Sequence, residues 1–349
     1  MKTTNTIRLP FEPDRDGLLL DIIVPHYKEP WSVGKPLFDM LSMQHGVSSK
    51  NFRVILVEDS DNDADHIDPM LLKRGYKVVQ FGNVHQGVSG ARNAGLAVST
   101  APWVCFCDFD DCFLSLNSLN IVFQHIVNAG DKVYLWNRFI EEGWHEKKYV
   151  YLKHDFDSTF IHGRFIRRSF LSDNDISFNK DLKFGEDCVF NEICQILAGA
   201  DRIGEIEEPV YLWCDNKDSV TRRETNRLKF YSQTLKHRFT FVSELKDRGL
   251  KEEMYKAVAR VLADCYYEQT GPKSTNPFIF GCEDVIAAWI IEYADIIYSI
   301  PGKLMTIALA AARQQALMNG FVNIEYDTLD GWVARMIEKY GEKQGGEQE

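Results

Sequence analysis

Five short, mainly apolar, β-favouring runs, at 18–25, 52–57, 77–81, 103–107 and 133–136, alternate with stretches that suit helices, at 33–43, 64–74, 89–98 and 116–128. Strands this apolar are buried on both faces, and parallel neighbours need a crossover between them. The alternation therefore predicts an α/β fold with a mixed, mostly parallel sheet flanked by helices. Ligands of such open sheets bind beyond the carboxyl ends of the strands. Pro25-His26-Tyr27, Glu58-Asp59 and the run from Asp108 to Asp111 all stand at such ends, so one crevice is expected to collect them.

Beyond Gly163 the texture changes. A helix is expected over 164–171, then a polar loop, a second helix over 186–197, and short strands at 202–207 and 210–213. After Thr225 the strand signals stop, and a remainder rich in Leu, Ala, Lys and Glu reads as helices broken near Gly271-Pro272 and Pro301-Gly302. Two domains follow, 1–224 and 225–349, as expected for a chain of 349 residues, which exceeds the usual single-core size. The polar tail 341–349 is expected to stay unstructured.

A formal net charge of −11 argues against general polyanion binding, which depends on basic residues displacing counterions. The eight cysteines contain no C-x-x-C pair, which suits thiols kept reduced in a cytosol. Residues 1–13 lack the apolar core of a secretion signal, and no window reaches the roughly 20 apolar residues that cross a bilayer, so a cytoplasmic protein without a transmembrane segment is expected.

The chemistry concentrates at the strand ends. Trp103-Val104-Cys105-Phe106-Cys107 delivers the chain into Asp108-Phe109-Asp110-Asp111, where like charges repel by roughly 1–4 kcal/mol per pair. A cation offsets such a cluster, and hard oxygen ligands suit Mg²⁺ or Mn²⁺. A solvated acidic turn is the alternative. Asp59, Asp61, Asp63 and Asp65 lack the Gly and Glu spacing of a calcium loop. Asn83 to Gly95, NVHQGVSGARNAG, is neither a dinucleotide fingerprint nor a phosphate loop, but its glycine turn leads into a helix bearing Arg92, a fixed cation for a phosphate or a nearby acid. Asp59 reads equally as a contact to a nucleobase or as a helix cap. Glu186-Asp187 opens a helix, where acids often only complement the dipole.

Taken in order, these segments resemble family 2 glycosyltransferases of the GT-A fold. IIVPHYKEP resembles the family's first strand and Pro-x-Tyr-Asn turn, with Lys28 in place of Asn. VEDSDND resembles Val-Asp-Asp-Gly-Ser-x-Asp, NVHQGVSGARNAGLAVSTAPWVCFCDFDD the Ala-Arg-Asn-x-Gly segment and the Asp-x-Asp strand end, and HGRFIRRSFL through KFGEDCVFN the acceptor-side stretch with its Glu-Asp pair. The resemblance spans about residues 18 to 222.

The resemblance implies a metal-dependent, inverting transferase that moves a sugar from a UDP-sugar to an acceptor hydroxyl. Pro25 and Tyr27 would wall the base and Asp59 would contact it. Arg92 would face the nucleotide, Asp108 the ribose or sugar, and Asp110 would bind Mn²⁺ or Mg²⁺ with Asp111 nearby. Asp187 would be the catalytic base, oriented by Glu186. Ser219 and Arg222 would close over the diphosphate, and His162 and Arg164 would lie on the acceptor side. The acceptor is expected to be a glycan, a surface polymer or its precursor, with hydroxylated bases of phage DNA as an alternative. The C-terminal helices would bind acceptor, form a homo-oligomer or buttress the catalytic domain. A nucleotidyltransferase is disfavoured, because the first strand is not followed by a Gly-rich basic loop. A non-catalytic sugar-nucleotide or glycan-binding module is the rival of another class.

Overall fold

In the computed structural model, which describes residues 17–59, 77–82, 86–145, 148–155, 159–216, 227–270, 279–318 and 328–344, the expected strands join one mixed sheet. Its members are β1 (Leu20–His26), β2 (Phe52–Glu58), β3 (Lys77–Gly82), β4 (Trp103–Phe106), β5 (Cys112–Phe113), β6 (Tyr134–His145), β7 (Lys148–His154), β8 (Arg164–Arg167) and β9 (Ile203–Trp213). The order is β3-β2-β1-β4-β8-β6-β9-β5, with β7 paired to β6. From β3 to β4 all pairs are parallel; β8 enters antiparallel between β4 and β6.

Two features of this sheet position the site. The β1–β4 ladder stops at Ile23↔Phe106, whereas β1–β2 continues to His26↔Glu58. The strands part there, at the point where sequential order reverses, which is where open α/β sheets bind ligands. At the opposite rim the sheet is tied by Asp21, fully buried, which accepts from Arg53 Nε and Nη2 at 2.8 Å, Ser99 Oγ at 2.7 Å and the Thr100 and Ala101 N–H groups at 2.8 and 2.9 Å.

Helices α1 (Trp31–Ser42), α2 (Gly87–Val98), α3 (Ser118–Val127), α4 (Arg168–Asp173) and α5 (Glu186–Ala198) complete this unit. Helix α2 lies close on β1 and β2 because Gly95 has no side chain: a Cβ there would come within 2.5 Å of Ile23 Cγ2. The core alternates aliphatic strand residues such as Ile22, Val24, Val54 and Leu56 with Leu37, Leu41 and Phe38 of α1.

Three sequence expectations change. Residues 164–171 begin as strand β8 rather than helix, because pairing with β4 and β6 on both sides outweighs the local helical pattern, and α4 starts only at Arg168. Strand β6 runs far beyond position 136 into a hairpin with β7. The two strands expected at 202–207 and 210–213 are one, β9, with a bulge between its pairings to Asn137 and Phe139. The helix expected at 64–74 lies outside the described residues.

The chain divides into two compact units, Met1–Arg222 and Arg223–Glu349. The second unit holds α6 (Arg227–Asp247), α7 (Lys251–Thr270), α8 (Glu283–Glu292), α9 (Ala294–Tyr298), α10 (Gly302–Met318) and α11 (Leu329–Gln344). Within it α7 packs against α6 and α10, burying Val258, Leu262 and Cys265, and α8 packs on α11. Among the described residues no helix is long and apolar enough to cross a membrane.

Candidate active site

Strand β1 ends at His26, just past Pro25, which has no N–H to donate to a ladder. The His26 ring donates from Nε2 to the Glu29 carbonyl at 2.8 Å and meets Glu58 through Nδ1. Glu29 returns its carboxylate to the Tyr27 N–H at 2.8 Å, and Lys28 holds a positive φ of 61°. Tyr27 is left 42% exposed at the mouth of the crevice. Asp59, at the end of β2, is buried and accepts from the Gln86 N–H at 3.0 Å and the Gly87 N–H at 2.8 Å. It thereby ties the end of β2 to the first amides of α2.

Helix α2 carries Arg92, 3% exposed. Its Nη1 donates to Glu186 Oε1 at 2.9 Å and its Nη2 to Asp108 Oδ1 at 2.8 Å. One guanidinium thus joins the acids after β4 to the acids that open α5. The neighbouring carboxylates of Asp108, Glu186 and Asp187 more than offset the effect of burial and raise its pKa further. Burial pushes the Asp108 pKa up, but Arg92 outweighs it and holds the carboxyl below its usual range.

Helix α5 starts after Gly185, whose φ of 75° sets a left-handed cap that favours glycine. Glu186 and Asp187 therefore occupy the first turn. Burial, followed by the charge of Glu186, raises the Asp187 pKa to about 7.

The acid run after β4 is organised by β9. Asn137 donates to the carbonyls of Ile206 and Glu208 at 2.9 and 2.6 Å and accepts from the Val210 N–H at 2.9 Å, so it fills the bulge of that strand. Beyond the bulge, the Tyr211 hydroxyl donates to Asp111 Oδ2 at 2.6 Å and accepts from the Asp108 N–H at 3.3 Å. The Cys214 N–H holds Asp111 Oδ1 at 3.0 Å, and the Asn216 amide holds Asp110 Oδ2 at 2.7 Å. Asp111 is 2% exposed; burial and then the charges of Asp108 and Asp110 push its pKa well up.

His162 lies beside this group, 5% exposed, its ring stacked between Tyr211 and Trp213. Burial depresses its pKa to about 4, so the imidazole is neutral at neutral pH. Nδ1 is buried without a hydrogen-bond partner and stands 3.5 Å from Asp111 Oδ2. One oxygen from each of Asp108 and Asp111 and a ring nitrogen of His162 lie within 4.8 Å of one another. An orphaned, neutral imidazole nitrogen facing two carboxylates fits a divalent cation, which takes His in its neutral form.

The structure thus gathers Arg92, Asp108, Asp111, His162, Glu186 and Asp187, with Asp110 turned onto Asn216. Arg164 is fully buried and donates to the Asn137 carbonyl at 3.1 Å, so it braces β6 from within. Ser219 and Arg222 lie outside the described residues. Sequence reasoning missed Tyr211 and Asn216 as holders of the acids and His26 as the partner of Glu58. No local motif marks them, because each acts across 32 to 106 positions.

Residues 21–181 match the family model described as glycosyl transferase family 2. A segment of 99 residues is 32% identical to an uncharacterized glycosyltransferase of Haemophilus influenzae, covering 28% of this chain and 31% of that protein. A segment of 94 residues is 33% identical to the amylovoran biosynthesis glycosyltransferase AmsB of Erwinia amylovora, covering 26% of this chain and 30% of that one. The matches thus span about a third of the length of these curated relatives. Among solved structures, S. aureus TarS in complex with UDP-GlcNAc superposes with a TM-score of 0.57 at 18% identity, covering 86% of this chain and 89% of that one. The TarS complex with UDP gives 0.56 at 18% identity with the same coverage. The fold is thus a mixed, mostly parallel α/β sheet like that of TarS, followed by C-terminal helices, and residues 21–181 of it are the part that matches glycosyl transferase family 2.

Proposed function

We propose that the first unit is the catalytic domain of a divalent-metal-assisted, inverting glycosyltransferase that moves a sugar from a UDP-sugar to an acceptor hydroxyl. The observation that carries this reading is Arg92, which binds Asp108 and Glu186 at once and so brings the strand-end acids face to face with the start of α5. The UDP and UDP-GlcNAc complexes of TarS support a uridine diphosphate donor, and the role of AmsB in amylovoran biosynthesis supports a glycan or polymer acceptor.

Asp187 is the base in this scheme. With a pKa near 7 it holds a proton weakly enough to be ionised at working pH and strongly enough to take one from an attacking hydroxyl. As the acceptor oxygen bonds to the anomeric carbon, the bond to the diphosphate breaks on the opposite face and the hydroxyl proton passes to Asp187. Glu186, fixed by Arg92, orients that turn. Pro25 and Tyr27 line the base side, with Glu58 and His26 behind them. Asp108, Asp111 and His162 would hold the ion, with Asp110 in the same turn as a further ligand once released from Asn216. When bound, the ion would offset the charge that develops on the departing diphosphate. Ser219 and Arg222 are proposed as diphosphate contacts.

The test is UDP release from a panel of UDP-sugars with Mn²⁺, with and without EDTA, for wild type and Asp187→Asn. Metal-dependent release that the variant loses supports the reading. Binding of UDP with no turnover for any donor, in the presence of candidate glycan acceptors, favours a non-catalytic module.

A further inference from the structure

Two thiols stand at the edge of the acid cluster and take no part in the scheme above. Cys112 lies in β5 and Cys214 directly follows β9; the two strands pair antiparallel with Cys112 opposite Leu212. Cys214 is therefore the diagonal neighbour on the same face, and the two Sγ atoms are 3.7 Å apart although 102 positions separate the residues. Cys112 is 7% exposed and Cys214 is half-buried. A disulfide requires about 2.05 Å between sulfurs, so the two thiols, already in contact, must close by a further step.

We propose that Cys112 and Cys214 form a reversible intramolecular disulfide, a modification site that couples the thiol–disulfide state of the surroundings to the acids of the site. The step balances with a low-mass disulfide such as oxidised glutathione as the oxidant. The more accessible Cys214 thiolate attacks one sulfur of the oxidant and releases one thiol. The Cys112 thiolate then attacks Cys214 Sγ and releases the second. Two protein thiols are oxidised, one small disulfide is reduced to two thiols, and the two protein thiol protons leave on the released thiols.

The consequence follows from what Cys214 and its neighbour hold. The Cys214 N–H bonds Asp111, and Asn216, two residues on, bonds Asp110. A cross-link at Cys214 anchors that segment to β5 and resets the positions of both acids. This second part rests on the proposed role of the acids as a metal site, whereas formation of the bond does not.

The full-length protein is incubated with oxidised glutathione, then alkylated under denaturing conditions and digested. The expected result is two fewer alkylated thiols than in the reduced protein and a linked peptide joining Cys112 to Cys214. Cys112→Ser is expected to abolish the link and to trap a glutathione adduct on Cys214; Cys214→Ser also abolishes it. An unchanged thiol count in oxidised wild type, or a link between another pair, overturns the proposal. Calorimetry with Mn²⁺ alone, on oxidised and dithiothreitol-reduced protein, reads the coupling. A several-fold change in Kd that dithiothreitol reverses and Cys112→Ser lacks supports it; equal affinities in both states overturn the coupling even if the link forms. Manganese binding with no UDP-sugar turnover would count against the proposed activity while leaving the disulfide result intact.

Discussion

Arg92 and Asp187, close enough to influence each other's charge, carry opposite electrostatic situations. Arg92 is buried with two carboxylate partners, so Arg92→Met leaves Asp108 and Glu186 without their cation and is expected to lower unfolding stability by about 3–5 kcal/mol in a denaturant titration. Lysine at this position keeps the charge but not the two-pronged reach, and is expected to recover only part of that loss. Asp187 has no such paired cation, and burial leaves its pKa at about 7. Because the carboxylate is the form that accepts a proton, kcat/KM is expected to rise with pH up to about 7 and then level off. Asp187→Asn is expected to remove this limb and lower kcat by about 100- to 10,000-fold while UDP affinity stays near wild type. His162→Ala is expected to weaken Mn²⁺ binding in calorimetry. Asp110→Asn in the same experiment separates the ligand set Asp108, Asp111 and His162 from one that includes Asp110.

At the level of elements, Gly95 sets how closely α2 lies on the sheet and hence where Arg92 sits. Gly95→Ala is expected to cost about 1–3 kcal/mol by overpacking against Ile23, and to lower activity through displacement of Arg92. The strands β1 to β4 were legible because their runs are mainly apolar and separated by helical stretches, and the acids at their ends follow directly from strand polarity. The residues that steady those acids were not. Tyr211 reaches Asp111 only because Asn137 absorbs the bulge in β9, and the segment around Arg164 becomes a strand only because a gap between β4 and β6 receives it. Both depend on partners remote in sequence, where local propensity carries no information. Arg164 shows the same limit at the side chain: the resemblance placed it on the acceptor side, yet as the first residue of β8, between β4 and β6, it is fully buried.

Across the whole molecule, the shifted acids give a signed pH dependence. Asp187 and Asp111 bind protons more tightly folded than unfolded, so the stability they contribute is complete below the unfolded carboxylate pKa of about 4 and is lost as pH rises through their folded values, about 7 for Asp187. His162 and His237, with pKa values depressed to about 4, act in the opposite sense only below the unfolded histidine value of about 6.5. Of these four groups only the acids still act between pH 6.5 and 8, so their contribution is expected to lower the melting temperature of the metal-free protein progressively over that interval, and Asp187→Asn to flatten the trend. The sheet is also unequal at its two rims. Where Asp21 gathers Arg53, Ser99 and the amides of Thr100 and Ala101, the strands are sewn together; where β1 and β4 part after Ile23, they are not. Opening fluctuations therefore concentrate at one end, and deuterium should enter the amides beyond Ile23 well before those beside Asp21, leaving a stiff base from which the ligand-binding lip can flex without loosening the fold.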